Sequence, residues 1–134
     1  MLTLFCPSVT DSIDLMAESN PRPTLAQISV QELADRLASA PSDLQLIDVR
    51  EPHEVEMAAI TGFTILPLSQ FSQWSGEIYT QLDPEKETLV LCHHGIRSAQ
   101  MCQWLQTQGF TQVKNISGGI DAYSQLVDPT VPRY

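Results

Sequence analysis

Positive charge is scarce in this sequence. Its 134 residues carry 7 Lys and Arg against 16 Asp and Glu, a formal net charge of −9. An acidic field keeps a chain soluble and repels phosphate backbones. No basic stripe with interleaved aromatics offsets it, so no nucleic-acid partner is expected. Anionic small molecules meet the same field. Any anion site must therefore be local, built from backbone amides and one or two positive side chains. Cysteine is scarce as well: Cys6, Cys92 and Cys102 are all there is. An odd, low count excludes a disulfide framework and fits a reducing compartment. No apolar run approaches the roughly 18 residues of a membrane-spanning helix. The stretch from Met1 to Pro7 lacks the positive region that opens a signal peptide. The expectation is a soluble cytoplasmic protein without membrane contact.

What remains is a globular composition, 43% hydrophobic and 17% charged. The length suits one domain able to bury a core without staples. Residues 1–23, with Pro7, Pro21 and Pro23, read as a leader, in which only a short helix over Asp11 to Glu18 is conceivable. The domain is expected over 24–127, with a C-terminal tail at 128–134. Leu25 to Ile28 reads as a first strand, and Ser29 with Glu32 as a capping box opening a helix. Leu44 to Val49 reads as a buried strand, followed by a short helix begun by Pro52. Thr64 to Leu66 is a further strand, and Phe71 to Leu82 has helical spacing in part. Thr88 to Leu91 is the most strand-like run. A helix from Ser98 to Gln108 should end at a left-handed Gly109. Val113 to Ile116 is the last strand, and Gly118-Gly119 turns into a closing helix to about Leu126. Strands alternating with helices imply an α/β domain with a mainly parallel sheet.

The segment that carries chemistry is Cys92-His93-His94-Gly95-Ile96-Arg97-Ser98. A buried strand ends at a cysteine, a short glycine-containing loop follows, and a helix begins. Ligands of open α/β sheets sit beyond the carboxyl ends of strands. A loop of this kind can curl its amides inward, Gly95 permits a conformation that a side chain penalises, and the helix brings the positive end of its dipole. Arg97 adds a cation. Each feature favours thiolate over thiol and also suits a persulfide, Cys–S–S⁻. Packing alone rarely assembles such a set; a buried apolar cysteine at a strand end is the plainer alternative.

The same loop resembles the active-site loop of rhodanese-like sulfurtransferases. The resemblance continues in Asp48-Val49-Arg50-Glu51-Pro52, in Ile60-Thr61-Gly62-Phe63 through Leu66-Pro67-Leu68, and in Gly118-Gly119-Ile120-Asp121-Ala122-Tyr123. It covers about residues 24–127. It implies a rhodanese-like α/β fold, a five-stranded mainly parallel sheet flanked by helices on both faces. It further implies that Cys92 accepts sulfane sulfur and passes it to a thiophilic acceptor. The amides from His93 to Ser98 would cradle the persulfide, and Asp48 and Arg50 would support the loop from the neighbouring strand. The implied partner is a small sulfur donor such as thiosulfate, or a persulfide-bearing protein. Two departures stand out: Ala58-Ala59-Ile60 replaces a Gly-His-Ile segment, and Tyr123 replaces a tryptophan.

Other readings are weaker. Cysteine phosphatases of related fold need five residues between nucleophile and arginine to surround a tetrahedral oxyanion. Only His93, His94, Gly95 and Ile96 separate Cys92 from Arg97, a ring sized for one sulfur atom. A non-catalytic interaction module is the serious rival, but such domains usually lack the cysteine. No CxxC or HExxH spacing exists and adjacent histidines point apart, so neither a metal site nor a cofactor is expected. His93 and His94 are read as loop residues ahead of acid–base catalysts. Arg97 is read as an anion contact, Cys102 as core packing, and Trp74 and Trp104 as packing residues. An Arg50–Glu51 surface pair is the plain alternative to loop support.

Overall fold

A computed structural model describes residues 25–39 and 42–134. The leader, its conceivable helix and Cys6 lie outside these residues. The elements run β1 (Gln27–Ile28), α1 (Val30–Ser39), β2 (Gln45–Asp48), α2 (Pro52–Met57), β3 (Thr64–Ile65), α3 (Phe71–Trp74), α4 (Ile78–Gln81), β4 (Thr88–Leu91), α5 (Ile96–Thr107), β5 (Val113–Ile116) and α6 (Gly119–Leu126). The five strands form one sheet in the order β1-β5-β4-β2-β3. Every pairing is parallel, so the mainly parallel sheet expected is wholly so.

Local signals account for most boundaries. Ser29 Oγ accepts from the Glu32 amide at 3.0 Å while Glu32 Oε1 accepts from the Ser29 amide at 3.1 Å, the reciprocal box that opens α1. Pro52 occupies the first turn of α2. Gly109, at φ +94°, follows α5 as expected. One expectation is refined and one needs correction. The run from Phe71 to Leu82 is helical in part, as its spacing indicates. It breaks into the single turns α3 and α4, separated by a 3₁₀ turn at Ser75–Glu77. Gly76 weakens helical continuation there, and the Trp74 indole is anchored by donating to the Pro67 carbonyl at 2.8 Å. Helix α5 begins at Ile96 rather than Ser98. Arg97 and Ser98 are therefore first-turn residues, not loop residues.

The sheet is covered on both faces, which is why β4 is buried at all four positions. Alternation sorts its side chains. Leu89 and Leu91 join Val30, Leu33, Ile116 and Ile120 in one cluster. Val90 and Cys92 join Ile47, Met101, Cys102 and Leu105 in the other. The period of two thus carries Cys92 to the α5 side of the sheet. Strand β4 is central, with the chain leaving β2 for β3 on one side and β4 for β5 on the other. Cys92 follows β4 at that divergence, where parallel sheets open a crevice.

Ion pairs tie the layers together. Glu87, next to β4, receives Arg36 of α1 and, at 2.9 Å, Lys114 of β5. The Arg36 hydrogen bonds hold the Glu87 carboxyl at about 2 against burial. Arg97, likewise the largest influence, holds Glu54 at about 2. Both values lie below the unfolded-chain value of about 4.3. Their stabilisation is complete above pH ~5 and is lost as pH falls toward 2. The urea midpoint is expected to decline through this window, and Glu87→Gln is expected to flatten the decline while lowering the midpoint at pH 7. An equal acid slope in both proteins would refute this assignment.

Candidate active site

The site is built where β4 gives way to α5. Cys92 is 1% exposed. Gly95, at φ +97°, turns the loop back so that its amide donates to Cys92 Sγ at 3.0 Å. A Cβ at Gly95 would also stand 3.1 Å from the Gly118 nitrogen, so a side chain is opposed by strain and by space. The other donors expected of the cradle stand differently. The amides of Ile96, Arg97 and Ser98 open α5 and have no acceptor within the helix.

Ser98 meets the sulfur through its side chain, Oγ to Sγ at 3.2 Å. Its proton can be placed. Asn115 Nδ2 donates to the Gly95 carbonyl at 3.0 Å, an acceptor only, so Asn115 Oδ1 faces Ser98. The Ser98 hydroxyl gives its one proton to Oδ1 and turns a lone pair toward Cys92. Asn115 therefore orients both the loop carbonyl and the serine. Sequence reading missed it, although a polar residue inside the strand Val113–Ile116 was a signal. Asn115→Ala removes both the side-chain donor to the Gly95 carbonyl and the buried acceptor of the Ser98 hydroxyl. A stability loss of about 2 kcal/mol is expected in urea unfolding. A melt matching the parent's would show that the asparagine only fills space.

The second side of the loop is held by α6. The Ile120 amide donates to the Cys92 carbonyl at 2.9 Å and the Asp121 amide to the His93 carbonyl at 3.1 Å. This contact is possible because Gly119 lies against the loop backbone.

Asp48 and Arg50 form a buried ion pair, Nη2 to Oδ2 at 2.7 Å, rather than an Arg50–Glu51 surface pair. Neither hydrogen-bonds the loop directly among the described residues. Arg50 Nη1 instead donates to the Glu54 carbonyl and to the Tyr134 hydroxyl. That hydroxyl donates in turn to Glu54 Oε2 at 3.0 Å. Glu54 then grips Arg97 with both oxygens, at 2.6 and 2.8 Å. The support expected of Asp48 and Arg50 thus reaches the loop through Glu54 and Tyr134. The tail at 128–134 is consequently part of the site, with the Tyr134 ring stacked on His93 at 3.9 Å. Nothing in the sequence signalled Tyr134. Glu54 stood out no more than its neighbours in the short helix begun by Pro52.

The histidines differ. His93 lies between Tyr134 and His94, and burial followed by the neighbouring His94 pushes its pKa down, which favours a neutral ring. His94 is exposed, its Nδ1 4.0 Å from Asp121. Cys102 sits in the core at 0% exposure, its thiol pushed up to about 12 first by burial and then by Cys92. It is a packing residue. Cys102→Ala is expected to lower stability by roughly 1 kcal/mol and leave any Cys92 chemistry within a few-fold. Loss of that chemistry with an unchanged melt would give Cys102 a redox part. Trp74 and Trp104 pack edge-to-face in one aromatic cluster with Phe71.

A wholly parallel sheet whose central strand ends in a cysteine, with a turned-in glycine amide and a helix start around it, defines a cysteine-loop α/β domain. Residues 29–126 match the model of the Rhodanese-like domain, and the chain belongs to that family. It is 46% identical over 124 residues to the rhodanese-like/PpiC domain-containing protein 12, chloroplastic, of Arabidopsis thaliana. That match covers 91% of this chain but 42% of the plant protein. It is 31% identical over 105 residues to a sulfurtransferase of Allochromatium vinosum, covering 78% of this chain and 94% of that one. Among solved structures, the human single-domain sulfurtransferase TSTD1 superposes with a TM-score of 0.63 at 24% identity, covering 77% of this chain and 98% of that one. This last likeness speaks for the fold alone. No helix among the described residues is long and apolar enough to cross a membrane.

Proposed function

We propose that this domain carries sulfane sulfur as a persulfide on Cys92, taking it from a donor and passing it to a thiophilic acceptor. The observation that carries this reading is the Gly95 amide directed at Cys92 Sγ at 3.0 Å inside a loop of four residues between Cys92 and Arg97. One amide in place and the first-turn amides of Ile96, Arg97 and Ser98, which have no acceptor within the helix, are the donors that a terminal persulfide sulfur requires. His93 and His94 line the loop, and Asp48 and Arg50 hold it through Glu54. Family membership and the sulfurtransferase relative favour sulfur transfer over a passive interaction module. Unpaired Cys92 and Cys102 suit a reducing compartment, and we place the protein in the cytoplasm.

The test is mass measurement of the protein before and after exposure to a sulfane-sulfur donor. A gain of one sulfur atom on the peptide containing Cys92, removed by cyanide as thiocyanate, is the expected result. A thiol that stays unmodified in the folded protein would return the domain to the interaction-module reading.

A further inference from the structure

The site needs positive charge to bind a dianion, and the structure shows where its positive charge goes. Arg97, the cation of the loop, lies in a two-pronged pair with Glu54, Nη1 to Oε1 at 2.6 Å and Nη2 to Oε2 at 2.8 Å. Glu54 cannot swing away easily. It also accepts from the Glu51 amide at 3.0 Å and the Tyr134 hydroxyl at 3.0 Å, and it is 7% exposed. Arg50 is fully buried and spends its Nε and Nη2 on Asp48 and its Nη1 on the Glu54 carbonyl and Tyr134. Arg133 donates to Asp121 at 3.0 Å. Among the described residues, each arginine around the loop is thus matched by its own carboxylate. Ile96 at the lip is 71% exposed and apolar. All of this sits in a protein of net charge −9.

Resting on the sulfur-carrier reading, we propose that Glu54 is a specificity-determining residue that selects a thiol persulfide, R–S–SH, as donor over the thiosulfate dianion. By neutralising Arg97 it leaves the cradle to bind one sulfur atom by hydrogen bonds alone. The Cys92 thiolate attacks the outer sulfur of R–S–SH. A bond forms between Sγ and that sulfur, the bond to the carrier sulfur breaks, and its electron pair leaves as R–S⁻. The products are Cys92–S–SH and a thiolate, with atoms and charge conserved. No group with two negative charges enters or leaves. Thiosulfate would bring two charges to the loop and release them as sulfite, facing Glu54 and Asp121 with no unpaired guanidinium to offset them.

The experiment measures the rate of sulfur loading on Cys92 by mass, with cysteine persulfide and with thiosulfate as the two probes. In the parent protein kcat/KM for cysteine persulfide is expected to exceed that for thiosulfate by about tenfold or more. Glu54→Gln keeps the side-chain shape and removes the charge. It is expected to raise kcat/KM for thiosulfate about fivefold and to narrow the ratio between the donors. A second measurement needs no variant. Because the repulsion is long-range, rising ionic strength should increase thiosulfate kcat/KM in the parent protein. A fall with salt, thiosulfate matching the persulfide, or an unchanged donor ratio in folded Glu54→Gln would each overturn the selection. Loading by neither donor would overturn the sulfur-carrier reading itself, and the proposal with it.

Discussion

Cys92→Ser is expected to lose sulfur loading by three orders of magnitude or more, roughly the scale of removing an enzyme's nucleophile. The hydroxyl is far less acidic than a thiol, and it forms no persulfide. The fold should tolerate the change. Serine can still accept from the Gly95 amide and bond Ser98, the two contacts that Sγ makes. The melt of the variant is therefore expected to match the parent's within about 1 kcal/mol. Mass measurement after donor treatment, alongside that melt, separates chemistry from stability. Sulfur gained by a folded serine variant would place the carrier elsewhere in the chain.

Gly119→Ala is expected to do the opposite damage, to the fold first. A Cβ built at Gly119 stands 2.4 Å from both the Cys92 and His93 carbonyl oxygens, which are backbone atoms with no rotamer to change. The residue also has φ +63°, a left-handed conformation costing a side chain about 1 kcal/mol. Relief of the overlap requires α6 to lift from the loop, stretching the Ile120 and Asp121 amide bonds to the same carbonyls. A loss of about 4 kcal/mol or more in urea unfolding is expected, beyond the range of ordinary substitutions. Loading should fall with it, because the loop is displaced. Gly76→Ala is the control. Nothing lies within 4 Å of its Cβ position, and no loss but a gain of up to about 1 kcal/mol is expected. Gly119→Ala melting with the parent would show that α6 does not brace the loop.

Particular residues show how far the chain could be read before its structure. Thr88–Leu91 and Val113–Ile116 fall where the apolar runs placed them. Ser29 and Glu32 form the box that their spacing announced. The helix after the loop was placed two residues late. The sequence marks Gly95 as a loop glycine, and the structure makes it the left-handed cap of α5. The Phe71 to Leu82 segment is helical in part, as its spacing indicates, in two single turns. Arg97 was expected to face an anion; in the structure it faces Glu54, which lies 43 positions earlier in the chain.

That difference follows from the range of the forces involved. Strand alternation, caps and the glycine turn are decided by neighbours within a few residues, so Cys92 at the end of a buried strand, with four residues between it and an arginine, was already written in the chain. Partner choice among charged and polar side chains is decided by distance in space. Asn115 reaches Gly95 across 20 positions, Tyr134 reaches Glu54 across 80, and Arg50 reaches Tyr134 across 84. A guanidinium can pair with any carboxylate the fold brings to it, and only the packing of α2, α5 and the last residues around β4 determined that Arg97 would meet Glu54.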